Sequence, residues 1–83
     1  MATRIENERR FPNWEQRADG GRRYWREVAG RRGWRARYVK VVDRDEETIS
    51  FVQEVYNHLG KLVEVHEKFP VDTGHRKIED DER

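Results

Sequence analysis

Cations and aromatic rings alternate along residues 22–40, the part of the chain whose residue types suggest the most recognisable chemistry. This segment holds eight Arg or Lys residues and one acid, a net charge of +7, whereas residues 41–83 carry a net charge of −6. Arg and Lys neutralise phosphates, and aromatic rings stack on unpaired bases. The sequence therefore predicts a nucleic-acid-binding surface made of Arg22, Arg23, Arg31, Arg32, Trp34, Arg35 and Arg37.

The same segment also fits a purely structural explanation. Its cations can pair across a sheet with carboxylates of later strands, and its rings can be core residues. The loop at residues 30–33, which holds Arg31 and Arg32 between two glycines, is the hardest part to neutralise in this way. We therefore expect a small non-catalytic binding module whose loop contacts nucleic acid or an acidic protein. A structural subunit that docks on an acidic protein is a further possibility.

Asp72, His75 and Arg76 form a second group with chemical potential. A carboxylate, an imidazole and a guanidinium so close in sequence can hold an oxyanion or supply acid–base groups for RNA cleavage. A turn in which Asp72 accepts a hydrogen bond from a downstream backbone N–H explains the same residues without chemistry. The alternative function is thus a small ribonuclease with these three residues as its candidate catalytic residues.

Ligands for a metal ion are sparse in this sequence. Glu64 and His66 share a strand face, but the spacing of the histidines and nearby acids matches no compact metal motif. The chain has no cysteine, which excludes disulfides and thiolate sites. There is also no glycine-rich phosphate loop of a nucleotide-binding fold. We predict neither a metal nor a cofactor.

Four strand-like segments must position these groups. They are rich in β-branched and aromatic residues, are bounded by glycine-containing or charged turns, and span residues 22–28, 34–42, 48–56 and 61–69. Between the last two, Asn57 to Gly60 has the form of a three-residue hairpin loop that ends in a left-handed glycine. Carried outward from this turn, the register pairs Val55 with Val63 and Phe51 with Glu67. The predicted fold is mainly β, a four-stranded antiparallel meander.

The chain length of 83 residues allows one domain, which divides into four parts. These are a partly irregular arm (1–21), the meander (22–69), a turn (70–76) and a short polar tail (77–83) that we expect to fray. In the arm, Asn13 can cap one helical turn. The rings of Phe11 and Trp14 are expected to lie against the sheet.

A sheet with an uncovered apolar face is not stable in water, and no long amphipathic helix is visible to cover this one. A homodimer is favoured over closure into a barrel or cover by the arm, because symmetric dimers are the commonest oligomers. The sequence shows no signal peptide and no apolar run of the roughly 20 residues that a membrane span needs. It therefore predicts a cytoplasmic protein without a membrane partner.

Short segments at 38–42, 56–58 and 74–76 resemble the small TumE-type toxin proteins. The resemblance covers about half of the chain. It implies a strand-rich body and places His75 and Arg76 in the family's Gly-Asp-His-Arg-His end. The sequence departs from that pattern because no Asp separates Tyr56 from Asn57 and because a whole strand intervenes before Gly74.

Overall fold

The computed structural model describes residues 2–78, which form one antiparallel sheet and one helix. The elements are α1 (Arg4–Arg10), β1 (Asn13–Gln16), β2 (Arg22–Ala29), β3 (Arg35–Val42), β4 (Thr48–Tyr56), β5 (Leu62–Phe69) and β6 (Gly74–Lys77). A 3-10 turn, Arg31–Gly33, joins β2 to β3. The sheet order is β1 to β6, so each strand pairs with the next one in the chain.

The mainly β fold and the antiparallel meander are confirmed, but the predicted number of four strands is wrong. The predicted strands correspond to β2, β3, β4 and β5, with ends that differ by at most one residue. The short strands β1 and β6 escape prediction because each has four residues and mostly polar side chains, so neither shows apolar alternation. The arm is more regular than predicted, and Asn13 starts a strand rather than capping a helix.

Helix α1 begins with a capping box. The side chain of Thr3 accepts the backbone N–H of Glu6 at 3.2 Å, and the Glu6 carboxylate accepts the N–H of Thr3 at 2.8 Å. The residue that α1 buries is polar, Asn7. The helix therefore lacks the apolar stripe by which an amphipathic helix is recognised in a sequence.

The core lies between the sheet and the segment that follows α1. Phe11, Tyr24 and Val42 are buried together, and Tyr38 and Phe51 pack against them. The Phe11 ring centroid is 5.8 Å from that of Tyr24 and 6.4 Å from that of Phe51, where the contact is edge-on. Phe11 thus lies against the sheet as expected.

Strand β5 contains two β-bulges that the sequence does not reveal. Tyr56 pairs with Leu62 as the predicted register requires, but Val55 pairs with Glu64, and Phe51 pairs with Phe69. The predicted pairs Val55–Val63 and Phe51–Glu67 are therefore wrong. Val63 and Lys68 have no opposite residue on β4, because each is the extra residue of a bulge.

The C-terminal end of the described chain belongs to the sheet. Lys77 is the last residue of β6, and the backbone N–H of Ile78 donates to the carbonyl of Val63 at 2.8 Å. The rest of the predicted polar tail, residues 79–83, lies outside the described residues. Along residues 2–78 no helix is long and apolar enough to cross a membrane.

Gly21 allows the turn between β1 and β2 to approach the end of β3 closely. A Cβ at this position would lie 2.1 Å from the carbonyl oxygen of Val42, far inside van der Waals contact. We expect Gly21→Ala to lower the free energy of unfolding by at least about 3 kcal/mol, because the backbone of β3 must move. Urea unfolding followed by circular dichroism measures this loss.

Gly60→Ala is the matched control. Its φ is +80°, and a Cβ there meets nothing within 4 Å, so only the left-handed backbone is penalised. The expected cost is about 1 kcal/mol. If both variants lost the same free energy of unfolding, the close contact between Gly21 and Val42 would not be the cause of the loss.

Candidate functional site

A cleft of about 550 Å³ lies between the end of α1 and the sheet face on which Phe11 packs. Cross-strand pairing places Tyr24, Lys40, Phe51 and Phe69 in one row on this face. Residues from the helix end and four strands line the cleft: Arg10, Phe11, Arg26, Tyr38, Lys40, Thr48, Phe51, Lys68 and Phe69. We call this site the cationic cleft.

Four of these residues carry positive charge, and none carries negative charge. The cations are Arg10, Arg26, Lys40 and Lys68. Within residues 2–78 none of them has a carboxylate within the 4.0 Å of an ion pair, although six Arg residues elsewhere do. The charges of the cationic cleft are therefore among those that this part of the chain leaves available to an anion.

Aromatic rings hold two of these cations beside the cleft. The Arg26 guanidinium carbon is 5.1 Å from the Tyr38 ring centroid, and the Lys68 ammonium is 5.6 Å from the same centroid. Tyr38 in turn packs beside Phe51, with 6.2 Å between ring centroids. Cation–π contact within about 6 Å is attractive, so the rings help to orient the charges.

Lys68 reaches this face because of a bulge. Strict alternation along β5 would place neighbours Lys68 and Phe69 on opposite faces. The bulge at Val63 brings His66 and, two residues further on, Lys68 to the cleft face, where the Lys68 ammonium meets the Tyr38 ring, and the bulge at Lys68 brings Phe69 to the same face. Bulges commonly re-aim a side chain in this way.

Lys40 is half-buried, whereas Arg10 and Arg26 are exposed. Its Nζ donates to Asn7 Oδ1 at 2.8 Å. Burial, and then the nearby charge of Arg10, lower the pKa of Lys40 below its ordinary value of 10.5, although Glu46 and Glu6 act in the opposite direction. Its charged form is therefore less favoured than that of a lysine in water.

Glu46 fixes the helix side of the cleft. This buried carboxylate accepts hydrogen bonds from the Tyr24 hydroxyl, from Asn7 Nδ2 at 3.1 Å and from Arg4 Nε at 3.2 Å. Asn7 and Arg4 belong to α1, and Tyr24 belongs to β2. The carboxylate thus joins the helix to the sheet, and with it the Arg10 and Phe11 that follow.

The backbone of Glu46 is unusual for its residue type. In the turns at 17–21 and 57–61, a glycine takes the left-handed position, with φ of +89° for Gly20 and +80° for Gly60. The turn at 43–47 has the same backbone hydrogen bonds, but its left-handed residue is Glu46, with φ of +67°. A non-glycine residue here is strained, and such strain persists where the surrounding structure compensates for it.

Both titratable groups of this contact are perturbed. Burial would raise the pKa of Glu46, but the hydrogen bonds from Tyr24, Asn7 and Arg4 outweigh it and lower the pKa below 4.5. Burial, followed by the hydrogen bond to Glu46, raises the pKa of Tyr24 above 10. At neutral pH the pair is therefore a carboxylate and a protonated hydroxyl.

Two of the predicted nucleic-acid-binding residues are engaged within the protein. Arg22 is buried, its Nη1 is 2.6 Å from Glu8 Oε2, and its guanidinium lies 3.6 Å from the centroid of the Trp14 ring. Arg23 lies over Trp25 and 4.0 Å from Glu15.

Arg35 and Arg37 share one carboxylate. Arg37 Nη2 donates to Glu27 Oε2 at 2.7 Å, and Arg35 Nε is 3.5 Å from Glu27 Oε1. Both guanidinium groups lie 5.4 Å from the Tyr56 ring centroid. The expected neutralisation across the sheet occurs here, with Glu27 of β2 rather than with the acids of β4 and β5 as partner.

The predicted loop is exposed. Arg31, Arg32 and Trp34 stand together at the β2–β3 connection, and Trp34 is 40% exposed. In the described chain neither Arg31 nor Arg32 forms an ion pair. This loop and the cationic cleft are thus two basic surfaces carried by the same hairpin.

The candidate catalytic residues Asp72, His75 and Arg76 do not converge. Asp72 Oδ1 is 2.6 Å from His66 Nε2, and His75 Nδ1 is 3.0 Å from Glu64 Oε1. Arg76 pairs with Val65 in the sheet, so it lies on the face opposite to His75. The structure instead brings His75 against His66, with 4.6 Å between their ring centroids.

The two histidines do not complete a metal site. No group of three or more His, Cys, Asp or Glu residues with metal-binding geometry occurs between residues 2 and 78. The hydrogen bond from Gly74 N–H, followed by that from His66, lowers the pKa of Asp72. Asp72 is therefore an anion that orders the β5–β6 turn, as the structural explanation of this segment proposed.

The sequence alone does not show that the residues of the cationic cleft lie together. Arg26 and Lys40 belong to the basic segment, but Arg10 lies in the arm and Lys68 in a strand with acidic neighbours. The available signal was a charge imbalance in β2 and β3, which does not show which cations the acids of the chain neutralise. Which cations remain without a carboxylate partner, and which of them share a face, depends on α1 and on the bulges of β5.

Comparison of the chain with protein-family models, with curated proteins and with solved structures finds no significant match. The resemblance to TumE-type toxins is neither supported nor opposed by this outcome and stays a prediction.

Glu46→Gly tests whether the carboxylate attaches the helix. Glycine suits the left-handed backbone and would stabilise a turn that had no other role. We expect the opposite, a loss of about 2 kcal/mol in the free energy of unfolding, because three donors lose a charged acceptor. Urea unfolding at pH 7 measures the difference.

The pH dependence supplies the control. A carboxylate whose pKa is lowered by folding stabilises the protein above about pH 4.5, and this contribution disappears as the pH falls through the lower folded-state pKa. Glu46→Gly should therefore show a shallower loss of stability in acid than the wild type. Glu47→Gly, at an exposed neighbour, should keep the wild-type slope. A Glu46→Gly variant more stable than the wild type would contradict the proposed role.

Proposed function

We propose that the chain is a binding module for single-stranded nucleic acid and that the cationic cleft is its contact surface. The observation that carries the proposal is that four cations and four aromatic rings line one cleft that contains no carboxylate residue. A phosphate backbone needs such charges, and unpaired bases need such rings.

The rings favour a nucleic acid over an acidic protein. Carboxylates of a protein partner would satisfy Arg10, Arg26 and Lys68, but they offer no aromatic face to stack on Tyr38 or Phe51. A base offers a π face whatever its sequence, so we expect little sequence preference. Binding to an acidic protein and a purely structural role remain the alternative functions predicted from the sequence.

A single strand fits the site better than a duplex does. The rings lie in a concave pocket beside α1, and a base can reach them only when it is unstacked from its neighbours. The pocket volume of about 550 Å³ lies in the range of roughly 300–1,000 Å³ typical of small-molecule sites. We therefore expect the cleft to take one or two nucleotides of a longer strand.

The exposed loop extends the same surface in this proposal. Arg26 and Arg31 are five residues apart, roughly 15 Å along an extended strand. A strand held in the cleft can therefore place a further phosphate near Arg31 or Arg32 and a base near Trp34. The Trp34 component of the tryptophan emission would report on this loop, whereas no tryptophan lines the cleft.

The ribonuclease alternative keeps one supporting observation. His75 Nδ1 faces Glu64, which leaves Nε2 of a half-exposed ring for acid–base chemistry. Asp72 and Arg76 do not join it, so this function stays a prediction without an assembled site. The predicted homodimer and the predicted cytoplasmic location likewise stay predictions.

Arg26→Gln should weaken binding of a fluorescent single-stranded oligonucleotide and should reduce its dependence on salt. The logarithm of the binding constant falls with the logarithm of salt concentration by about 0.7 for each phosphate contact. Loss of one contact should lower this slope by about that amount. Fluorescence anisotropy at several salt concentrations measures both effects.

Arg44→Gln is the matched control, because it removes an exposed arginine from the β3–β4 turn outside the cleft. It should leave the slope unchanged. Equal effects of the two variants would mean that only net charge matters, and the absence of binding at low salt would overturn the proposal. Loss of binding in Arg31→Gln alone would place the contact at the loop.

A further inference from the structure

Lys40 has surroundings that set it apart within the cationic cleft. It lies in the middle of β3, with Tyr24 opposite on β2 and Phe51 opposite on β4. Its amine donates to the neutral amide oxygen of Asn7 at 2.8 Å, and no carboxylate of residues 2–78 lies within ion-pair distance. The amine is thus held by a neutral partner at the wall of a pocket large enough for a small molecule.

Burial, more than the charged groups nearby, disfavours the protonated form of Lys40. Arg10 of α1 opposes the ammonium, whereas Glu6 of α1 and Glu46 of the β3–β4 turn favour it, and burial is the largest effect. The hydroxyl of Tyr24 is already committed to Glu46. The net result is a lowered pKa, which increases the fraction of neutral, nucleophilic amine at neutral pH.

We propose that Lys40 is a reactive amine that forms a Schiff base with an aldehyde whose phosphate group is held by the other cations of the cleft. The inference rests on the proposed function in one respect, that the cleft binds phosphate. It adds a covalent reaction that a simple binding module would not perform.

The reaction balances without a redox partner. The neutral amine attacks the carbonyl carbon, a C–N bond forms as the C=O π bond breaks, and the carbonyl oxygen takes up a proton in place of the one that the nitrogen releases. The resulting carbinolamine loses water, which gives an imine between Lys40 and the ligand carbon. Arg10, Arg26 and Lys68 hold the phosphate as cations, and Phe51 and Tyr38 offer their rings to the rest of the ligand.

Two kinds of ligand carry both an aldehyde and a phosphate group. One is an abasic sugar in single-stranded DNA, whose open form carries an aldehyde between two phosphates. The other is a small phosphorylated aldehyde. Both present the same pair of groups, an aldehyde for Lys40 and a phosphate for the cations, so the experiment needs one probe of each kind.

The test is trapping with borohydride, which reduces an imine to a stable secondary amine. The whole protein is incubated at pH 7.5 with a single-stranded oligonucleotide that carries one abasic site, or with pyridoxal phosphate, and then reduced. Peptide mass mapping locates the adduct. We expect Lys40 to be modified several-fold faster than Lys77, an exposed lysine that does not line the cleft.

Lys40→Arg is the matched variant, because arginine keeps the charge and a donor for Asn7 but does not form a stable imine. It should abolish the major adduct while circular dichroism shows the wild-type fold. Pyridoxal, which lacks the phosphate, should react more slowly than pyridoxal phosphate, and Arg26→Gln should remove part of that difference. Mapping on the wild type answers the question even where a variant fails to fold.

Each outcome decides the proposal. A Lys40 adduct with either probe supports it, and the more reactive probe identifies the source. Adducts spread evenly over Lys40, Lys61, Lys68 and Lys77, or no adduct, would overturn it. If an intact oligonucleotide binds but no Lys40 adduct forms, the proposed function is supported and the reactive amine is overturned. If pyridoxal phosphate forms a Lys40 adduct but no strand binds, the reactive amine is supported and the proposed function is overturned.

Discussion

The buried carboxylate of Glu46 joins the helix to the sheet. It accepts hydrogen bonds from Tyr24 of β2 and from Asn7 and Arg4 of the α1 segment. Burying a charge is costly unless it is fully paired, and here three donors from two elements offset that cost. The strained backbone of Glu46 fits this explanation, since two other turns of the same form place glycine at that position.

The cationic cleft is a consequence of this attachment. Once α1 is fixed, Arg10 and Phe11 form one wall, and Lys68 forms another because a bulge in β5 directs it to the same face. Acids elsewhere neutralise the remaining arginines of β2 and β3, since Glu8 takes Arg22 and Glu27 takes Arg35 and Arg37. Arg10, Arg26, Lys40 and Lys68 thereby remain without a carboxylate partner among residues 2–78, beside a group of aromatic rings.

The sequence predicts the central strands well and their surroundings poorly. Period-two alternation and turn residues are local signals, so β2 to β5 and the turn at Asn57 could be predicted to within one residue. Helix α1 could not, because it attaches through the polar Asn7 rather than through an apolar stripe. The bulges at Val63 and Lys68 could not either, and they change the face of the β5 residues that lie between them.

The candidate site shows the same division between local and distant information. The excess of cations in residues 22–40 is visible in the sequence, and Arg26 and Lys40 belong to it. Which cations remain unpaired depends on contacts between residues far apart in the chain, such as Arg22 with Glu8. His75 was a candidate residue in the sequence, but its contacts with Glu64 and His66 became evident only with β6 in place.

The most direct test of this account is a nuclear magnetic resonance titration of the backbone amides with a short single-stranded oligonucleotide. The account predicts that the largest shifts occur at Arg10, Phe11, Tyr38, Phe51 and Lys68, with smaller shifts at the Arg31 loop. It also predicts that Glu46→Gly, which detaches the helix, reduces the shifts in the cleft. Shifts confined to Arg31–Gly33 and Trp34, or no shifts at low salt, would contradict it.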